Sequence, residues 1–231
     1  MGRFAPTPSG DLHLGSLYTA AASYLDARSR GGRWLLRIED LDRPREAPGC
    51  ADRILRTLEA FGFEWDGEIV RQGDRTDQYA LALQRLQEHR LTFECSCSRL
   101  QLEDESRYPG TCRERPSLLR VPTATRLRVE PGPILFTDRI QGAYRQDVAH
   151  AVGDVILQRR DRVFSYLLAV VVDDAAQGVN HVVRGADLLD NTPRQIYLQR
   201  LLGLPLPAYA HVPVLTEVDD TKLAKSRRSV R

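Results

Sequence analysis

The 231-residue sequence predicts an α/β fold built on a parallel sheet. Three observations predict it. The chain opens as strand, turn, helix, strand, an order that favours parallel pairing. Helical periodicities then alternate with short apolar runs along most of its length. A chain of 231 residues can bury one full core without disulfide staples, and its 42% hydrophobic share is that of an ordinary soluble globular sequence.

The elements follow in order. Gly2 to Thr7 reads as a short strand running into a Pro/Ser/Gly turn, Pro6 to Gly10. Leu14, Leu17, Tyr18, Ala21 and Leu25 recur at helical spacing, and Gly31-Gly32 stops that helix. Trp34 to Ile38 is the second strand, closing on the acidic cluster Glu39, Asp40 and Asp42. Helices are predicted around Ile54, Leu55, Leu58 and Phe61, and around Tyr79, Leu83 and Leu86. From Phe93 to about Ser117 the periodicity fails, and a segment rich in Cys, Pro and charge reads as an insertion. Strand-like runs return at Arg126–Val129, Ile134–Thr137 and Val155–Gln158, and Val163 to Val172 should be core. His181–Arg184 is a buried strand opening into the loop Gly185-Ala186-Asp187. A helix with Ile196, Leu198, Leu201 and Leu202 inward follows, then a last strand at Val212–Leu215. Thr221 to Arg231 is a polar loop or tail.

Charge and composition exclude several classes. The longest apolar run, Tyr166 to Val172, is far short of a bilayer crossing, so no membrane association is expected. The opening MGRFAPTPSG has no apolar core of a secretory signal, which points to a cytoplasmic protein. A net charge of +2 does not announce a nucleic-acid binder, although basic groups gathered on one face would suffice. Of the 33 basic residues only Lys222 and Lys225 are lysines; the rest are arginines.

Two motifs carry chemistry. Pro6-Thr7-Pro8-Ser9-Gly10-Asp11-Leu12-His13-Leu14-Gly15-Ser16 follows a strand and opens a helix. The free N–H groups and positive dipole at a helix start favour phosphate. Gly10 and Gly15 let backbone approach a ligand, and His13 adds a donor. A merely capped helix with a packed histidine fits the same residues. Lys222-Leu223-Ala224-Lys225-Ser226 can fold over a triphosphate and neutralise charge that develops as pyrophosphate leaves. Alone, such a run is usually a solvated basic tail.

Together, near the two ends of an α/β chain, the motifs resemble the HIGH and KMSKS signatures of class I aminoacyl-tRNA synthetases. Pro-Ser-Gly-x-x-His-x-Gly is the glutamyl/glutaminyl form. Arg3-Phe4-Ala5-Pro6-Thr7-Pro8, Arg37-Ile38-Glu39-Asp40-Leu41-Asp42 and Val183-Arg184-Gly185-Ala186-Asp187 fit the same group. Two departures stand out. Ser16 replaces the second His, and Ala224 replaces a Ser of the lysine loop. The resemblance implies a Rossmann-like, doubly wound parallel sheet with a small zinc-binding insertion. It divides the chain into a first catalytic half (1–92), the insertion (93–118), a second half (119–216) and the lysine loop and tail (217–231).

The resemblance also implies roles. Arg3, Phe4, Ala5, Pro6 and Thr7 would line a glutamate pocket, with Arg3 as the fork for the side-chain carboxylate. Glu39 would receive the substrate α-ammonium, and Tyr166 and Arg184 would close the site. His13, Gly15, Lys222 and Lys225 would carry the catalysis, with His13 and Gly15 at ATP and Lys225 at its phosphates. Mg²⁺ is expected with ATP. The glutamyl core, the length of the chain after Ser226 and the Cys-rich insertion together resemble the glutamyl-Q tRNA(Asp) synthetase family. Members of that family activate L-glutamate and transfer it to queuosine in the anticodon of tRNA(Asp). A compact chain of this size has a radius of gyration of about 17 Å. It is expected to act as a monomer on one part of the tRNA, without a separate anticodon domain.

The cysteines are Cys50, Cys95, Cys97 and Cys112. Cys95-x-Cys97 and Cys112 suit one tetrahedral Zn²⁺ in a structural role. The resemblance gives Tyr108 as fourth ligand; water, Asp104, Glu105 or three reduced thiols without metal remain open. Cys50 reads as a buried thiol at a helix start. Three rivals to the leading function are a truncated glutamyl-tRNA synthetase acting at a tRNA 3′ end, a small-molecule nucleotidyltransferase, and a zinc-containing RNA-binding module.

Overall fold

The computed structural model of the protein describes residues 1–98, 100–102, 107–114 and 121–215. Its first half winds β1 (Gly2–Phe4), α1 (Leu14–Arg28), β2 (Trp34–Ile38), α2 (Cys50–Ala60), β3 (Val70–Arg71) and α3 (Thr76–Glu88). β1 pairs with β2, and β2 with β3, all in parallel. Next come β4 (Thr92–Cys95), β5 (Ala124–Leu127), β6 (Pro133–Asp138), β7 (Gly142–Asp147), the short α4 (Val148–Ala151) and β8 (Ile156–Gln158). β4, β5 and β8 form an antiparallel sheet, and β6–β7 is a hairpin. The chain then returns through α5 (Tyr166–Ala176), β9 (His181–Gly185), α6 (Thr192–Leu201) and β10 (Ala208–Val212). β9 and β10 are again parallel. The amides of Asn180 and His181 both donate to Met1 O at 3.1 Å, which sets β9 beside β1. The parallel strands therefore lie in the order β3-β2-β1-β9-β10, the doubly wound order, with a topological switch between β1 and β9.

β2 shows how residues are sorted between the two faces. Trp34, Leu36 and Ile38 pack with Phe4, Ala20, Ile54 and Leu58 under α1 and α2. Leu35 packs into the other cluster, with Tyr79, Leu83, Leu168, Val182 and Ile196 under α3, α5 and α6. Both faces are covered, as a parallel sheet requires. The same alternation sends Arg3 of β1, in register with Leu35, and Arg37 toward α5. Arg184 shares its face of β9 with Val182, its neighbour two residues back.

Three expectations need correction. Leu14 and Leu25 do not face inward; each is 63% exposed. α1 instead packs through the small side chains Ala20, Ser23 and Ala27, because it lies close on β1: a Cβ on Gly2 would stand 3.2 Å from that of Ala27. The last strand ends at Val212 rather than starting there. Pro213 has no N–H to give a ladder, so a strand cannot run through it from Val212 to Leu215. Phe93 to Cys95, read as the start of the insertion, is strand β4 and pairs with β5. The segment Thr221 to Arg231, Lys222 and Lys225 included, lies outside the described residues, as do Asp104 and Glu105. Among the described residues no helix is long and apolar enough to cross a membrane.

Candidate functional site

The carboxyl ends of β1, β2 and β9 surround a cavity of about 660 Å³ lined by Arg3, Glu39, Tyr166 and Arg184, among others. A second cavity of about 370 Å³ lies against the start of α1 and is lined by Pro6, His13, Gly15, Ser16 and Asp187. Phe4, Ala5, Thr7, Thr19, Gly185 and Leu188 line both, so the two are halves of one cleft. It opens where ligands of doubly wound sheets bind, beside the switch point. Pro6 lines only the α1 side, and its carbonyl accepts from Glu39 N at 3.0 Å.

His13 is the cap of α1: its Nδ1 accepts from Ser16 N at 3.3 Å. That bond fixes the neutral tautomer, with the proton on Nε2. A Cβ at Gly15 would stand 3.1 Å from the imidazole, which explains why His-x-Gly needs the glycine. In the local order of chain, His13, Gly15 and the α1 amides form a donor surface suited to phosphate.

The larger cavity is electrostatically divided. Arg3 Nε and Nη2 lie 3.3 and 3.5 Å from Asp174. Arg37, fully buried, donates to Asp174 at 2.7 Å and to Gln177 at 2.7 Å. Asp173 takes bonds from Gln72, Arg75 and Tyr79 at 2.9, 2.7 and 2.8 Å. Burial opposes charge on Asp174, yet Arg3 and Arg37 hold its carboxyl below the usual range. Burial likewise opposes charge on Arg37, and the carboxylates of Asp174, Glu39 and Asp173 outweigh it. Glu39 fares differently. Burial dominates over the attraction of Arg37 and Arg3 and pushes its carboxyl up to about 7. A strand-end charge in water is thereby excluded: Glu39 is 9% exposed.

Arg184 is the third guanidinium on this face of the sheet, and α5 offers it no carboxylate. Its Nε donates to His211 Nε2 at 3.0 Å, its Nη2 to Thr192 and Gln195 at 2.9 and 2.8 Å, and its Nη1 to the Tyr166 hydroxyl at 3.4 Å. All four partners are neutral. Burial and the charge of Arg184 keep His211 below its ordinary pKa, and its Nδ1 donates to Asp138 at 2.6 Å. Among the described residues no carboxylate reaches ion-pair distance of Arg184. The arrangement is a buried cation at the cavity wall, held in place by His211 and Asp138 and suited to an anionic ligand.

Sequence reasoning missed Asp174, Asp173, Asp138 and His211. The pair Asp173-Asp174 at the end of the apolar run Tyr166–Val172 was the available signal, since charge in a core helix needs a partner. Asp138 and His211 stand 73 residues apart and carry none.

The thiol cluster sits at the end of β4. The sulfurs of Cys95, Cys97 and Cys112 lie within 4.8 Å of one another. Cys95 Sγ donates to Tyr108 Oη at 3.4 Å, and Cys112 N to the same oxygen at 2.9 Å. Burial opposes the Cys112 thiolate, but the Ser96 amide and the neighbouring Cys97 and Tyr108 bring it down to about 7. Tyr108 N donates to Val152 O, and Gly153 (φ +77°) crosses so close that a Cβ there would stand 2.5 Å from Tyr108 O. Cys50 is buried at the start of α2, as expected.

Over residues 1–231 the chain matches the family described as tRNA synthetases class I (E and Q), catalytic domain. A glutamyl-Q tRNA(Asp) synthetase of Ectopseudomonas mendocina is 59% identical over 99% of this chain and 78% of its own. One of Pseudomonas aeruginosa is 56% identical over the same shares. Among solved structures, a glutamate-tRNA synthetase from Elizabethkingia anophelis is 27% identical with a TM-score of 0.86, covering 97% of this chain and 52% of that one. The chain thus spans about half the length of that solved relative. It belongs to the class I glutamyl/glutaminyl tRNA synthetase family, and within it to the glutamyl-Q tRNA(Asp) synthetases.

Proposed function

We propose that the protein activates L-glutamate with ATP and transfers the glutamyl group to queuosine in the anticodon loop of tRNA(Asp). The carrying observation is the shared wall of the two cavities: one side offers a buried cation and a buried carboxyl, the other a helix start armed with His13. In the first step a glutamate carboxylate oxygen attacks the α-phosphorus and pyrophosphate leaves. In the second a hydroxyl of the queuosine ring attacks the activated carbonyl, AMP leaves and the hydroxyl proton passes to solvent. Neither step needs a protein nucleophile; both need in-line placement and charge stabilisation.

In this reading Arg184 and Arg3 face the side-chain carboxylate, Glu39 takes the α-ammonium and Tyr166 closes the pocket. Phe4, Ala5 and Thr7 form the shared wall. His13 Nε2–H, the α1 amides beside Gly15, and Lys222 and Lys225 receive the phosphates. Mg²⁺ bound with ATP would offset the charge of its phosphates beside these groups.

The affinity for glutamate should depend on pH through Glu39. Its folded pKa near 7 lies above the ordinary value, so the carboxylate that pairs with ammonium is a minority at pH 6 and dominates at pH 8. Glutamate binding, measured calorimetrically, should tighten several-fold over that interval, and Glu39→Gln should remove the dependence. A flat profile in the parent protein would take Glu39 out of the ammonium site.

We also infer a structural zinc ion at Cys95, Cys97 and Cys112, with Tyr108 as fourth ligand. Tetrahedral Zn–S bonds of about 2.3 Å put sulfurs roughly 3.8 Å apart. Cys97 and Cys112 stand at 3.5 Å, and the phenol oxygen already touches the cluster. One zinc per chain is expected in protein prepared without chelator. Tyr108→Phe should weaken retention without abolishing it, since water can complete the shell. Metal-free protein from such a preparation would refute the assignment.

The acceptor is tested with tRNA(Asp) lacking its 3′-terminal adenosine and with isolated anticodon stem-loops. Glutamate transfer should survive the truncation and require queuosine. Loss of transfer on truncation would make the protein a 3′-end synthetase.

A further inference from the structure

A third cavity, of about 330 Å³, lies between the thiol-bearing segment and the sheet β4-β5-β8, and neither the amino-acid nor the ATP site uses it. Arg107, Arg126 and Arg194 line it with Asn191, over an apolar floor that includes Ile156 and Leu167. Arg126 is 7% exposed. Its guanidinium stacks 3.8 Å above the Tyr108 ring and donates through Nη1 to Asp154 O at 2.7 Å. Among the described residues, the Nε atoms of Arg126 and Arg194 are both buried without a hydrogen-bond partner. The Asp154 carboxylate, also at this cavity, accepts from Val129 N at 2.8 Å instead. Among the described residues no carboxylate comes within ion-pair distance of Arg126 or Arg194; Asp190, the acidic neighbour that acts on Arg194, is engaged by Tyr144.

Arginine stays charged in a protein, so buried guanidinium N–H groups with no partner among the described residues call for an anion with fixed acceptors. Sulfur, amide or water ligands do not answer that charge; a phosphate does. The apolar floor suits a flat ring beside the phosphate. A volume of this size is at the lower end of ligand pockets, about 300–1,000 Å³, which fits one nucleotide and excludes a duplex. Position supplies the rest. Ile156 lines this cavity and also the 660 Å³ cavity, and Leu167 follows Tyr166 in α5, so one layer of side chains separates this cavity from the amino-acid pocket.

We propose that this cavity holds one splayed-out loop nucleotide of the acceptor RNA, its phosphate between Arg126 and Arg194 with Arg107 at the mouth. Loop bases can leave their stack and be held singly, which places the neighbouring nucleotide at the glutamyl group. The inference rests on RNA as acceptor and adds the site that positions it.

The test uses Arg194→Gln and, at the exposed rim, Arg107→Gln, in the full protein. Glutamate-dependent ATP–pyrophosphate exchange should stay within twofold of the parent in both. The KM for a queuosine-bearing stem-loop should rise about tenfold in Arg194→Gln and less in Arg107→Gln. The salt slope of stem-loop binding should fall by about one in each. Replacing single phosphates of the stem-loop by methylphosphonate should weaken the parent at one position and leave Arg194→Gln unaffected there. Unchanged RNA affinity and salt slope in both variants would overturn the proposal. So would AMP or inorganic phosphate binding that is lost in the variants while stem-loop transfer is kept, which would mark a small-anion site. If the parent makes adenylate yet transfers nothing to RNA, the acceptor assignment fails, and direct stem-loop binding still decides the cavity.

Discussion

Arg184→Gln should lower kcat/KM for glutamate in ATP–pyrophosphate exchange by two to three orders of magnitude. The guanidinium is buried, its partners are His211, Thr192, Gln195 and Tyr166, and none of them carries charge. In the proposed complex the substrate carboxylate is therefore its only counter-charge among the described residues and the ligand. Truncating one member of a buried, hydrogen-bonded charge pair costs about 2–5 kcal/mol, and each 1.4 kcal/mol is tenfold. Glutamine offers an amide where glutamate offers a carboxylate, so exchange with glutamine should change little. The preference for glutamate should then shrink by nearly the same factor. A variant that keeps its preference while losing overall rate would move the recognition of the side chain to Arg3. Asp138→Asn serves as the graded control: it alters the relay through His211 but leaves the charge of Arg184 in place, so a smaller loss is expected.

Asp174→Asn should cost about 3–5 kcal/mol of stability, the penalty for leaving a buried ion pair half made. Here one carboxylate answers two guanidinium groups, Arg3 from β1 and Arg37 from β2. The amide would leave Arg3 without its carboxylate and Arg37 with only the longer contacts to Glu39 and Asp173, at 3.7 and 3.9 Å. For a domain of this size each kcal/mol shifts the melting temperature by about 2–4 °C, so a drop on the order of 10 °C is expected by calorimetry. Arg37→Met in the same background should recover part of it, because removing the buried partner removes its desolvation cost. Loss equal to the sum of the single variants would show that the two groups do not act as a pair.

What the sequence discloses depends on how local the chemistry is. His13 and Gly15 are legible because one makes the cap and the other clears space for its ring, two residues apart. Glu39 is legible because it ends a strand within a compact motif. The electrostatic partners are not legible. Arg3 meets Asp174 across 171 residues and Arg184 meets His211 across 27, joined only by the doubly wound topology. The helical face of α1 was misread because large apolar residues outweigh small ones in any periodicity. Close packing on β1 prefers Ala20, Ser23 and Ala27. The displaced last strand has a plainer cause: Ala208 to Val212 alternates and looks weak, whereas the more apolar Val212–Leu215 contains a proline.

Two of the three guanidinium groups on the inner face of the sheet are matched by α5, and in the proposed complex the third, Arg184, is matched by the substrate. A ligand that binds only the native form adds about 2.7 kcal/mol at a hundred times its dissociation constant. In the proposed complex glutamate would therefore complete the folded molecule as well as react in it. Cells short of glutamate would hold a looser population, opened more often and cleared sooner by proteases. Turnover of the enzyme would follow the supply of its amino acid with no regulator in between. Protease half-life across a glutamate titration would show the trend, and Arg184→Gln should flatten it.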